Sequence, residues 1–281
     1  MSFVCTVDVE DWAQSTLDTN LPITDRSGRN MEHLLDLLAS ENVKVTCFIL
    51  GKFADKFPDC VKRIAAEGHE IASHGYGHVD LFRLSSAEFR EDVQRSKGQL
   101  EALTGLPVKG YRAPCFSLIK ESLWALDVLA KEGFVYDASI NPGLMARFGL
   151  SNWPPQPVKV KLHSGLTLVE LPLATIQLLG RRFPVAGGGY HRLLPWPFIR
   201  YAVEKTLTGG EAFVAYCHPY EFDPDEFSHL SYPLPLKTRL HQGLGRKGFE
   251  AKFIKMLQEF KPDLAIHLAE EVNWQVYTPF L

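Results

Sequence analysis

His74 and His78 sit four residues apart in the stretch Ser73-His74-Gly75-Tyr76-Gly77-His78. Two imidazoles at this spacing can reach one cation if the backbone between them makes a single turn. A zinc-type site also needs a third protein ligand and a position left open for water. Taken alone, a His-x-x-x-His pair is more often structural. The acids Asp8, Glu10 and Asp11, clustered where another apolar run ends, change that balance. Arg112, Asp137 and His218 also follow or end apolar runs.

The elements that must position these groups are legible in outline. Phe3 to Val7, Lys44 to Leu50, His69 to Ser73, Val108 to Tyr111, Phe134 to Asp137, Ala212 to Cys217 and Leu264 to Leu268 read as strands. Helical faces fall between them, around 30–40, 55–67, 120–132, 197–205 and 249–260. A further long helix starts at the Ser85-Ser86-Ala87-Glu88 capping box and stops at Gly105. Residues 141–157 read as an irregular surface loop, 158–171 as a hairpin around His163-Ser164-Gly165, and 223–248 as loop-rich. Strand–helix alternation predicts a parallel sheet covered on both faces, an α/β fold closer to a barrel than to an open sheet. Chemistry in such barrels sits at the carboxyl ends of the strands, where the polar groups fall.

The chain has 281 residues, 46% apolar and 22% charged, with a formal net charge of −3. That charge argues against a general nucleic-acid binder. No run approaches the ~18 apolar residues of a membrane span. The start, Met1-Ser2-Phe3-Val4-Cys5, has no secretory-signal pattern. Five cysteines without a Cys-x-x-Cys pair point to a reducing compartment, so the expected location is cytoplasmic. Cys217 and His218 are strand neighbours pointing to opposite faces, which excludes a thiol–imidazole pair.

The ordered motifs carry a family resemblance. Thr6-Val7-Asp8-Val9-Glu10-Asp11-Trp12, Ser73 to His78, Tyr111-Arg112-Ala113-Pro114 and Cys217-His218-Pro219 resemble the polysaccharide deacetylases of the NodB-homology group, carbohydrate esterase family 4. Gly187 to Pro195 and His218 to Pro224 resemble the branch tied to exopolysaccharide and O-antigen biosynthesis. The resemblance implies an incomplete or distorted (β/α)7 barrel with a loop and hairpin insertion around 141–190. It implies one such domain over residues 1–281, with a branch-specific part from about 141. It also implies a divalent metal, zinc first and cobalt or nickel next, and hydrolysis of an acetyl group from an acetamido sugar. That sugar would be nucleotide-linked, lipid-linked or part of an oligosaccharide.

Carried over by position, Asp8 is the expected base, Arg112 its orienting partner, and His218 the general acid. His74 and His78 are the expected metal imidazoles. The family's commonest first motif has adjacent aspartates; here Val9 follows Asp8, leaving Glu10 or Asp11 as the carboxylate ligand. Residues two apart on a strand share a face, which favours Glu10; Asp11 serves if the chain turns at once. A cation held by one carboxylate and two imidazoles keeps positions open and lowers the pKa of water toward ~7. Backbone near Cys115 is expected to face the oxyanion. Tyr190 and Arg192, with Trp153 and Glu221, are candidate sugar contacts, and Asp137 is either a supporting carboxylate or a turn former. Two other readings stand beside this one: a cyclic amide hydrolase acting on allantoin or imides, and a saccharide-binding barrel without turnover.

Overall fold

The structure, a computed structural model, describes residues 2–143, 148–228, 230, 234–271 and 274–279. Its strands are β1 (Phe3–Val9), β2 (Thr46–Ile49), β3 (Glu70–Ser73), β4 (Gly110–Tyr111), β5 (Tyr136–Asp137), β6 (Val158–Lys161), β7 (Thr167–Glu170), β8 (Thr175–Leu178), β9 (Arg181–Pro184), β10 (Phe213–Cys217) and β11 (Val276–Tyr277). The helices are α1 (Trp12–Thr16), α2 (Asp25–Ser40), α3 (Gly51–Lys56), α4 (Pro58–Ala66), α5 (Ser86–Thr104), α6 (Trp124–Lys131), α7 (Gly188–Leu193), α8 (Trp196–Thr208), α9 (Leu236–Gly243), α10 (Phe249–Phe260) and α11 (Ala265–Glu270).

The main sheet runs β10-β1-β2-β3-β4-β5-β7-β6-β11, and its strands from β10 to β7 are parallel. Every residue of β1 is buried, as a central parallel strand with both faces covered requires. Among the described residues no ladder returns the sheet to β10. Single hydrogen bonds bridge that gap, from Ala174 N–H to the Val214 carbonyl (3.1 Å) and from Tyr216 N–H to the Ala186 carbonyl (2.9 Å). The result is an incomplete barrel.

Local sequence signals account for much of this. Ser85 and Glu88 form the capping box of α5, and Gly105 ends that helix in the left-handed conformation at φ 69°. Val158–Lys161 and Thr167–Glu170 pair antiparallel, as the hairpin pattern predicts. Two expectations fail. Leu264 to Leu268 is not a seventh strand: it falls in α11, which buries Ala265, Leu268 and Ala269 at helical spacing. The seventh parallel place is taken by β7, from the hairpin. Nor is 141–157 wholly a surface loop. Residues 144–147 lie outside the described residues, but Trp153 is buried and packs edge-on against Tyr277 at 4.7 Å. Trp153 is therefore no sugar contact. In 223–248 the sequence reading missed α9.

The sheet register aligns the site. Val7 stands opposite Cys217, Ile49 opposite Ser73, Ser73 opposite Tyr111, Tyr111 opposite Asp137, and Asp137 opposite Glu170. The residues just past these positions share one rim.

Candidate active site

Asp8 and Arg112 lie deepest. Arg112 Nη1 donates to Asp8 Oδ1 (2.7 Å) and Thr6 Oγ1 (2.6 Å), and Nε donates to the Ala138 carbonyl (3.0 Å). Its guanidinium carbon lies 4.0 Å from the Phe48 ring centroid. The guanidinium is fully buried, so its geometry is fixed by these partners and it orients Asp8.

Glu10 follows β1 and meets the two imidazoles. Its Oε2 lies 2.8 Å from His78 Nε2 and 3.3 Å from His74 Nε2. Nδ1 of His74 donates to the Arg112 carbonyl at 2.9 Å, which leaves its Nε2 lone pair facing Glu10. Glu10 Oε2 is buried without a donor in hydrogen-bond geometry. Three electron-pair donors within 4.8 Å of one another and an unsatisfied buried oxygen describe a place for a cation, so these residues fit a divalent metal. Burial acts to raise the Glu10 carboxyl, but His78, His74 and His218 outweigh it and hold the pKa well below the ordinary value.

Asp11, the alternative ligand, is committed elsewhere. Its Oδ1 accepts from Ala13 N–H (2.9 Å) and Gln14 N–H (3.0 Å), capping α1. Its Oδ2 accepts from the Thr24 N–H (2.9 Å) and hydroxyl (2.5 Å). Every Asp11 lone pair that could face a metal is used in holding the chain after β1.

The turn between the histidines is supported from α5. Asp92 accepts from Tyr76 N–H (2.9 Å) and Gly77 N–H (3.3 Å). Gly75 has φ 74°, as a residue without Cβ allows, while His78 is held left-handed at φ 60° despite its side chain. Cys115 and Phe116 share this strain at φ 54° on the opposite wall. Non-glycine residues in this region persist only when surrounding structure over-determines them, and they cluster at functional sites.

His218 closes the site from β10. Its Nε2 lies 3.6 Å from Glu10 Oε1 and 4.0 Å from Asp8 Oδ2, and its Nδ1 faces Glu221 Oε2 at 3.4 Å. The ring stacks on Tyr220 at 4.6 Å. Burial opposes its charged form, yet Glu221, Glu10 and Asp8 outweigh burial and raise its pKa above the ordinary histidine value. Glu221 is tied down in turn. It accepts from His218 N–H (3.1 Å) and from Arg192 Nε (2.9 Å). A Cβ on Gly188 would fall 1.7 Å from Glu221 Oε2, and one on Gly187 would fall 2.6 Å from the Tyr216 hydroxyl. That close approach is the physical reason for glycine at both positions.

Arg192 was expected to touch substrate. The structure buries it in the Glu221 pair and in hydrogen bonds to the Gln242 (2.8 Å) and Leu244 (2.9 Å) carbonyls. Glu221 likewise supports His218 rather than sugar. Tyr190 is 37% exposed and lines the same cavity of about 270 Å³ as Asp8, Glu10, His74, His78, Cys115 and His218.

Sequence reasoning missed the aromatic walls Phe116, Tyr216 and Tyr220 of that cavity. It also missed Glu170, fully buried opposite Asp137. Burial, and for Glu170 the neighbouring Asp137 carboxylate, raises both carboxyls. Asp137 thus serves as a supporting group, with its Oδ1 accepting from the Ser139 hydroxyl at 2.5 Å. Only pairing across β5 and β7 reveals Glu170; its local sequence carries no signal.

Comparison with known proteins matches two parts of the chain separately. Residues 16–133 match the family described as polysaccharide deacetylase, and residues 138–266 match a domain of unknown function, DUF3473. A peptidoglycan-N-acetylglucosamine deacetylase of Bacillus cereus is 40% identical over 95 residues, covering 34% of this chain and 34% of that protein. The chain thus spans about a third of that curated relative's length. A crystal structure from Mycobacterium smegmatis, named after the polysaccharide deacetylases, superposes with a TM-score of 0.64 at 23% identity, covering 99% of this chain and 95% of that one. Puue allantoinase superposes with a TM-score of 0.61 at 15% identity, covering 95% and 88%; at such identities likeness speaks for the fold alone. The family match and the curated relatives agree that residues 16–133 are similar to the polysaccharide deacetylases.

Proposed function

We propose that this protein is a metal-dependent hydrolase that removes the N-acetyl group from an acetamido sugar in bacterial surface polysaccharide biosynthesis, working in the cytoplasm. The observation that carries the reading is one cavity holding a guanidinium-clamped carboxylate, a Glu10–His74–His78 cluster and a carboxylate-backed imidazole.

Glu10, His74 and His78 would hold the cation, with zinc, cobalt or nickel as candidates. When bound, it supplies Lewis acidity toward water and the acyl oxygen. Asp8, oriented by Arg112, accepts the proton of the attacking water. His218 donates a proton to the departing amine, and its raised pKa favours the form that can do so. A backbone N–H near Cys115, which lines the cavity, would face the developing oxyanion. Tyr190 and Tyr216 offer ring faces to a pyranose. The surface-polysaccharide assignment rests on the Gly187–Pro195 and His218–Pro224 motifs.

The test is metal content together with acetate release from nucleotide-linked, lipid-linked and oligomeric acetamido sugars. Stoichiometric metal and acetate release, both lost in His74→Ala, are expected. Metal-free protein that releases no acetate after loading with zinc, cobalt or nickel overturns the reading.

A further inference from the structure

The net charge of the chain conceals a local excess of the opposite sign. Between Phe227 and Phe249 there is no Asp or Glu, while Lys237, Arg239, Arg246 and Lys247 are basic. Helix α9 lies in this stretch and buries none of its residues. Leu236, Leu240 and Leu244 recur every four residues, the last at the helix cap, and are 70%, 49% and 53% exposed. Lys237, Arg239 and Lys247 are exposed among them. A groove lined by Phe227 and these leucines runs alongside, with Asp225 as its acid.

This helix stands at the mouth of the site. Gln242 lines the cavity that holds His218, and Leu193, 54% exposed, borders the adjoining cleft with His241. The Arg192 guanidinium that pairs with Glu221 also holds the Gln242 and Leu244 carbonyls, so the α9 end is moored to the wall behind His218.

Eight residues with no buried face gain little from packing or propensity. Leucines facing water between cations are poorly placed in a soluble surface and well placed at a lipid interface, where apolar side chains enter the acyl boundary and cations meet phosphates. We propose that Leu236 to Lys247 dock the protein on an anionic phospholipid surface and bring the site mouth to the membrane. Delivery of a lipid-borne saccharide to His218 rests on the proposed activity; the docking does not.

The test is sedimentation of the full chain with phosphatidylcholine vesicles and with vesicles containing phosphatidylglycerol. Binding to the anionic vesicles alone, weakened by high salt, is expected. Lys237→Glu with Arg239→Glu should lower it by about tenfold or more. Leu236→Ser with Leu240→Ser should weaken it at every salt concentration. Both double variants should release acetate from a water-soluble acetamido sugar at the parent rate. Binding without any acetate release supports docking and overturns the activity. No binding to anionic vesicles, or binding that neither double variant changes, overturns the docking. A dimer lost in Leu236→Ser with Leu240→Ser, without vesicle binding, would overturn it in favour of a second copy on this face.

Discussion

The two walls of the site are built on opposite plans. On the β1–β3 wall, Glu10 Oε2 faces two imidazole nitrogens with no hydrogen-bond donor. On the β10 wall, Glu221 is filled by Arg192, the His218 backbone and the His218 ring. The first wall leaves a buried carboxylate oxygen between two imidazole nitrogens, an arrangement that suits a cation; the second is closed on itself by internal pairing and holds one imidazole in place.

Breaking the first wall should have the largest effect. Glu10→Gln is expected to lose metal and to lower acetate release by on the order of 10²–10⁴-fold. Asp11→Ala should retain metal and cost about 1–2 kcal/mol of stability, because it removes a helix cap and the Thr24 contacts. Elemental analysis with urea unfolding separates the two, and metal loss in Asp11→Ala alone would reverse the assignment. On the second wall, His218→Ala should keep the metal and lose about 10²–10⁴-fold in kcat. Retained kcat would remove His218 as the acid.

Glu221→Gln probes the closed pairing itself. It leaves the buried Arg192 charge without its carboxylate, at a cost of about 3 kcal/mol measured by urea unfolding. It should also lower kcat more than it raises KM, since His218 loses its orienting acceptor. A KM effect alone would return Glu221 to sugar contact.

Glu226, paired with Arg26 and Asn30 away from the reacting groups, should affect stability and not activity. Burial, only partly offset by Arg246, raises the Glu226 carboxyl from 4.5 to about 7. The folded state therefore holds this proton more tightly than the unfolded chain does. The resulting stability is full below about pH 4.5 and is lost as pH rises to about 7. Glu226→Gln should then stabilise the protein by on the order of 1–3 kcal/mol at pH 8 and by almost nothing at pH 4. An equal gain at both pH values would mean that the effect is packing and not charge.

How much of this could be read from the chain depends on range. The α5 capping box, the 158–171 hairpin and the ends of β1, β3 and β10 are local patterns, and they were legible. The gathering of His74, His78, Asp8, Arg112 and His218 at one rim was also legible, because each lies at or soon after the end of a parallel strand. Strand alternation favours Glu10 over Asp11 but leaves Asp11 open, because the choice depends on where β1 stops and on Thr24, thirteen residues beyond Asp11. Arg192 was misread because its partner Glu221 is twenty-nine residues away. The supposed strand at Leu264 failed because a short apolar run fits both periods, and burial of Ala265, Leu268 and Ala269 against the barrel chose the helical one.

One consequence follows from the placing of Asp8 and Glu10 around a single strand end. Val9 alone separates them, so their spacing is set by the pleat repeat, about 7 Å for two residues. β1 is held in register on both sides, by β10 and β2. Insertions or deletions in the surrounding loops can reshape the cleft without altering that interval. The Asp8–Glu10 interval behaves as a fixed gauge around which the shape of the cleft can drift.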